Sequence, residues 1–307
     1  MLNIPKHIAE GFGKGELYNV LVGLNNGLGV MPVDGTTFYV SKTGNGTTGL
    51  DWENAFSTLT AAITAASAAA VVNTNTMNRI FLGGGNWTET LVALPNHCEI
   101  IGVGIMSDGP RINGTSAIAN APSICHIYNV QFRTNTAAPC LDLTVGAQGL
   151  WLIGCLFNNT SGQQTTVGVD FGDTNYYNKI IGCTFMGNPS MTRGIVCNGA
   201  ANAFMEIRDN YISAITSGIE FAAQSGAYSD YQCYIRENVI CRTDPNSSSQ
   251  LAVGVHIKDT QSRTDLMTIH NYISAAIAIE DEGTIKANNH IGNYCLMAGT
   301  QTNTTIS

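Results

Sequence analysis

Leu150-Trp-Leu-Ile-Gly-Cys-Leu-Phe-Asn158, Ile180-Ile-Gly-Cys-Thr-Phe-Met-Gly-Asn188, Ile207-Arg-Asp-Asn-Tyr-Ile212, Ile235-Arg-Glu-Asn-Val-Ile240, Thr268-Ile-His-Asn-Tyr-Ile273 and Ile285-Lys-Ala-Asn-Asn-His-Ile291 are six versions of one phrase. Anchored on Cys155, Cys183, Asn210, Asn238, Asn271 and Asn289, they recur at intervals of 28, 27, 28, 33 and 18 residues. A second phrase interleaves with the first: Gly168-Val-Asp-Phe, Gly194-Ile-Val-Cys, Gly218-Ile-Glu-Phe, Gly254-Val-His-Ile and a degenerate Ala276-Ile-Ala-Ile. Each unit alternates apolar and polar residues over four to six positions and ends in Gly, Asn or Asp, the pattern of short strands and not of helical repeats. Two short strands per period of this length predict a solenoid in which each turn stacks in parallel on the last.

The predicted fold is therefore all-β, a single-stranded parallel β-helix. Its inward columns follow from the alignment: Phe157, Phe185, Ile212, Ile240, Ile273 and Ile291 form one, and Leu152, Ile180, Ile207 and Ile235 another. Asn210, Asn238, Asn271 and Asn289 are expected to form an amide ladder at a bend, each side chain bonding to the next and satisfying backbone groups. Cys155 and Cys183 share that column and read as small apolar fillers.

Composition bounds the function. Of 307 residues, 44% are hydrophobic and only 12% charged, against about 25% charged in an ordinary soluble domain. So few charges suggest an outer surface covered by other chains. The net charge of -8 comes with no basic stripe, which argues against nucleic acid as a ligand. Nine cysteines without paired spacing or a Cys-x-x-Cys fit a protein folded in a reducing cytosol. The first residues show no charged and apolar secretory leader, and no run of apolar residues is long enough to span a membrane.

In chain order, residues 1–35 stand outside the repeat as an N-terminal arm, either a flexible leader or a docking peptide that orders on a partner. Residues 36–78 carry a first strand and a helix beginning near Ser57, a plausible N-cap, with Leu59, Ile63, Ala66 and Ala70 on one face. That helix can cap the open end of a solenoid. Residues 79–307 form the β-helix and a polar C-terminal tail. The order Tyr39-Val-Ser41, Gly44-Asn-Gly46 and Asp51-Trp-x-x-Ala-Phe-x-Thr-Leu-x-x-Ala62 resembles the N-terminal cap passage of the pectate-lyase-like superfamily of right-handed β-helices. That superfamily includes many bacteriophage tailspikes and other virion proteins. The resemblance covers residues 37–72 by motif and 80–295 by repeat style; it implies that the single-stranded parallel β-helix coils right-handed, and it speaks for fold more than for chemistry.

Polysaccharide-cutting members of that superfamily present carboxylates on one outward face, so the resemblance directs attention to the middle position of the second phrase. Asp170, Val196, Glu220, His256 and Ala278 form that column. In-register stacking would place Glu220 and His256 about 4.8 Å apart and Asp170 and Glu220 roughly 9 to 10 Å apart. Carboxyl groups about 6.5 to 9.5 Å apart serve as acid and base in inverting glycosidases, so Asp170 with Glu220, and His256 beside them, form a candidate catalytic set. The other reading makes them ordinary solvent-facing strand positions. Arg208, Arg236 and Lys286, flanked by Asp209 and Glu237, offset charge along the stack. No metal site is expected, because no His-x-x-x-His or His-Glu-x-x-His frame and no calcium-type loop occurs. No cofactor is expected either. The superfamily's paired-Asp, Gly-His-Gly and Trp-x-Asp-His signatures are absent.

Two functional expectations result. One is a non-catalytic virion protein, a spike, fibre or capsid-surface β-helix, homotrimeric, docked to other virion proteins through residues 1–35 and meeting host polysaccharide. The alternative is a tailspike-type glycoside hydrolase or polysaccharide lyase using Asp170, Glu220 and His256.

Overall fold

The structure is a computed structural model that describes residues 35–72, 76–104, 109–143, 145–159, 166–187, 191–198, 201–222, 231–242, 251–258, 264–282 and 287–296. Residues 1–34, Lys286 and the polar tail from residue 297 onward lie outside the described residues.

Among the described residues every strand pairing is parallel, and strands inside a stack bond to the strand one repeat earlier and the strand one repeat later. This is a parallel β-helix. One long sheet climbs through Thr37–Val40, Asn78–Leu82, Cys98–Gly102, Cys125–Tyr128, Trp151–Ile153, Lys179–Ile181, Glu206–Arg208, Tyr231–Arg236 and Thr264–Ile269. A second climbs through Leu156–Asn159, Thr184–Phe185 and the start of Tyr211–Phe221. A third runs through Leu141–Leu143, Val167–Phe171, Met191–Cys197, the end of Tyr211–Phe221 and Leu251–Ile257.

The inward columns fill the core. Phe132, Phe157 and Phe185 stack face to face, with ring centroids 5.4 and 4.7 Å apart, and Ile212, Ile240 and Ile273 continue the column. Leu152, Ile180, Ile207 and Ile235 form the neighbouring column, which Thr268 extends. All are buried. The glycines of the second phrase belong to this packing: a Cβ on Gly194 would meet Ile212 Cγ2 at 2.4 Å, and one on Gly218 would meet Ile240 Cγ2 at 2.2 Å. The first phrase thus occupies the space that the second leaves empty.

Where the last copy lies differs from the sequence expectation. Ile273 pairs with Cys295 and Asn271 with Asn293, so the sixth anchor is Asn293 and the interval is 22 residues. Ile291 pairs with Ile269 outside the core and is half exposed. The phrase at 285–291 mimics the motif by composition, while Ile291-Gly-Asn-Tyr-Cys295 occupies its position.

The Leu59–Val72 helix buries Leu59, Ala62, Ile63, Ala66 and Ala70 and shares the core with Phe38, Val40, Ile80 and Leu82 of the first two rungs. Its N-cap is Thr58 and not Ser57: Thr58 Oγ1 accepts from the Ala61 amide at 3.2 Å. Glu89 adds a carboxylate that accepts from the Leu59 and Thr60 amides at 2.8 and 2.9 Å, placing negative charge at the positive end of the helix.

Candidate functional site

Strand register assembles the outward row of the third sheet. Asp142, Asp170, Val196, Glu220, His256 and Glu280 are successive Cα partners. Glu220 and His256 stand one rung apart, and Asp170 and Glu220 two. Ala278 is not in this row; it lies opposite Gly254 and is buried, because Ile277 and Ile279 pair with Val253 and Val255. Glu280 takes the place that the degenerate Ala276-Ile-Ala-Ile was expected to give to Ala278.

The middle of the row is closed to solvent. Val196 is fully buried and Glu220 is 2% exposed. Glu220 Oε1 accepts from Arg193 Nη1 at 3.1 Å and from Lys258 Nζ at 2.9 Å, and Oε2 accepts from Ser217 Oγ at 2.8 Å. Burial pushes the carboxyl upward, but the hydrogen bonds from Lys258 and Ser217 and the Arg193 charge outweigh it, and Glu220 ends below the usual glutamate range. Asp170 goes the other way. Burial raises it, the neighbouring Asp142 and Glu220 add to the rise, and the Asn198 amide, donating to Oδ1 at 2.6 Å, opposes it. His256 turns from Glu220 toward two other carboxylates, with Nε2 3.4 Å from Glu280 Oε2 and 2.9 Å from Glu282 Oε1. The row thus brings the three candidate residues together in sequence order and gives each a different partner set.

The amide ladder runs from Asn210 to Asn238 to Asn271 to Asn293. Each Nδ2 donates to the next Oδ1 at 2.8 to 2.9 Å, and the same Oδ1 accepts the backbone amide of the rung before. Asn289 is Met267's strand partner and not a rung of the ladder. The Nδ2 groups of Asn210, Asn238 and Asn271 also donate to the carbonyls of Ile180, Ile207 and Ile235. Cys183 replaces that second donor with its thiol, 3.3 Å from the Leu152 carbonyl, so the cysteines of this column are weak donors as well as fillers. A shorter run of amides, Asn175 to Asn202, bridges another bend and has no counterpart in the repeated phrase.

A second outward row of the long sheet, beside that of Arg208 and Arg236, escaped the sequence reading. Arg79 pairs with Glu99 at 2.6 Å, His126 stacks on Trp151 with centroids 4.1 Å apart, and Lys179 lies 4.6 Å above the same indole. Burial, helped by the Lys179 charge, lowers the His126 pKa to about 4. Higher up, Glu206 accepts from Arg236 and pairs with Lys179 and Arg208, so Lys179 of this row and Arg208 and Arg236 of the next converge on Glu206, and the two arginines also meet Asp209 and Glu237. Its carboxyl is lowered despite burial, because these three cations surround it. None of the nine cysteines is in a disulfide, and eight of them are buried. Among the described residues, no helix is long and apolar enough to cross a membrane.

No protein-family model matches the chain, and neither does any curated protein. Among solved structures, the pectate lyase Pel9A is similar over 90% of this chain and 83% of its own, with 11% identity and a TM-score of 0.49. The rice weevil pectin methyl esterase covers 95% of this chain and 96% of its own at 12% identity, with a TM-score of 0.38. The pectin methylesterase from Aspergillus niger covers 87% and 88% at 12% identity, with a TM-score of 0.36. The likeness concerns the fold, and none of the neighbours' chemistry is carried to this chain.

Proposed function

We propose that this chain is a non-catalytic virion structural protein, a spike, fibre or capsid-surface β-helix. In this reading it docks through residues 1–35 to other virion proteins, assembles as a homotrimer in the host cytoplasm and meets host surface polysaccharide with its outward rows. The observation that carries the non-catalytic reading is Glu220, the central carboxylate of the candidate row. It is buried, with one oxygen shared by Arg193 and Lys258 and the other taken by Ser217. A general base needs a carboxylate oxygen open to substrate, and a general acid needs a raised pKa; Glu220 is closed off behind three donors and lies below the usual glutamate range. Low charge and exposed aromatic pairs, Tyr177 on Phe204 and Tyr272 on Tyr294, favour a surface that meets other molecules.

Two measurements on the full chain test the proposal. Light scattering should give the mass of three chains, and a clean monomer would sink the trimer. Incubation with acidic and neutral polysaccharides should release neither reducing ends nor unsaturated products. Cleavage that disappears in Glu220→Gln would replace this reading with the glycoside hydrolase or lyase.

A further inference from the structure

Near the C-terminal end of the third sheet, strand register brings three metal-ligating side chains to one point. His256 and Glu280 are Cα partners on adjacent rungs, and Glu282 follows directly after the Tyr272–Asp281 strand. The Glu282 backbone is pinned, its amide donating to the Ile257 carbonyl at 2.9 Å. His256 Nε2 is 3.4 Å from Glu280 Oε2 and 2.9 Å from Glu282 Oε1, and the three donor atoms lie within 4.8 Å of one another. Donors held about 2.0 to 2.2 Å from a tetrahedral ion stand roughly 3.3 to 3.6 Å from each other; the His256–Glu280 separation of 3.4 Å falls in that range, while the 2.9 Å between His256 and Glu282 is a hydrogen bond that an entering ion would replace and widen.

The charge balance points the same way. Glu99, Glu206, Asp209, Glu220 and Glu237 each meet an arginine or a lysine. Among the described residues, the ion pairs of Glu280 and Glu282 run only to the His256 imidazole. Two carboxylates on one imidazole leave negative charge unbalanced whichever protonation state the ring takes. The imidazole is the most sheltered member, its side chain 12% exposed, while Glu282 reaches into solvent at 49%. A ring nitrogen fixed inside and two carboxylates closing from the solvent side is an arrangement a divalent cation can enter.

From this geometry we infer that His256, Glu280 and Glu282 form a binding site for a first-row divalent transition ion of the Zn2+ class. A nitrogen donor with two carboxylates suits that class; calcium and magnesium prefer all-oxygen shells. The ion would tie the rung of His256 to the rung of Glu280 where the described solenoid nears its end, and a fourth position would remain for water or a ligand from outside. The inference is independent of the proposed virion role.

The full chain, stripped with chelator, is titrated with Zn2+, and with Co2+ as a spectroscopic substitute. One equivalent should bind, the Co2+ bands should be those of a tetrahedral or five-coordinate site, and the thermal midpoint should rise. Glu280→Gln and Glu282→Gln should each weaken binding by about tenfold or more and remove the midpoint shift. Glu282 is exposed enough that its variant keeps the fold, which circular dichroism would verify. Three results would overturn the inference: no uptake at millimolar Zn2+, uptake unchanged in both variants, or displacement of Co2+ by an equal concentration of Ca2+.

Discussion

At the residue scale, the repeat is governed by one backbone conformation. Gly154, Gly182, Asp209, Glu237, His270 and Gly292 immediately precede the ladder anchors Cys155, Cys183, Asn210, Asn238, Asn271 and Asn293, and all six have φ between 50° and 60°. The left-handed residue turns the chain so that the next side chain points into the ladder. Three copies use glycine there, and three accept the strain of a side chain. A Cβ on Gly182 would have nothing within 4 Å, so Gly182→Ala tests the conformation alone and should cost about 1 to 2 kcal/mol in urea denaturation. Gly194→Ala tests packing instead. Its Cβ would stand 2.4 Å from Ile212 Cγ2 and 2.5 Å from the Gly218 carbonyl, both inside the stack, and the loss should exceed that of Gly182→Ala. Equal losses would mean that the core yields more easily than its column geometry implies.

At the element scale, the strands were legible because their signal is local: alternating burial, a bend glycine or asparagine, and a period near 28 residues. The inward columns at Phe157, Phe185, Ile212, Ile240 and Ile273 followed from alignment alone. The last rung did not, because Asn289 and Ile291 copy the motif's composition while Asn293 and Cys295 hold its position; only cross-strand register separates them. A separate slip of two residues in the second phrase hid Glu280 behind Ala278, and with it the His256, Glu280 and Glu282 cluster. Partners supplied by other rungs, such as Arg193 and Lys258 on Glu220, were equally invisible, because a strand pattern says which face a side chain takes and not what folds over it. His126 is a further case. On the outward face of its strand it is 7% exposed and stacked on Trp151. Folded His126 takes its proton only near pH 4, whereas the unfolded chain takes it near 6.5. The unfolded state therefore binds more protons between those values, and stability is lost as pH falls from 6.5 toward 4. His126 should account for a loss of about 3 kcal/mol at the lower end of that window. His126→Phe, which keeps an aromatic ring on Trp151, should remove that share, read as the difference between wild type and variant in urea midpoints at pH 7 and pH 4.5.

At the scale of the whole molecule, each rung touches chiefly the rung before and the rung after, so stability should behave as a chain of nearest-neighbour terms. The amide ladder makes this measurable. Asn238 accepts from the Asn210 amide and Nδ2, donates to the Ile207 carbonyl and offers its own amide to Asn271. Asn238→Ala leaves several of these buried groups unmet and should cost about 3 kcal/mol or more. Asn210→Ala removes part of the same network, so the double variant should lose less than the two single losses together. Glu89→Gln, at the helix N-terminus on the first rungs, should cost about 1 kcal/mol by withdrawing charge from the Leu59 and Thr60 amides. Combined with Asn238→Ala, several rungs away, its effect should add to within about 0.5 kcal/mol. Urea denaturation of the three single and two double variants against wild type gives both cycles. Coupling between Glu89 and Asn238 as large as that between Asn210 and Asn238 would show that the rungs communicate beyond their neighbours. The cap would then act on the whole solenoid and not only on its first turns.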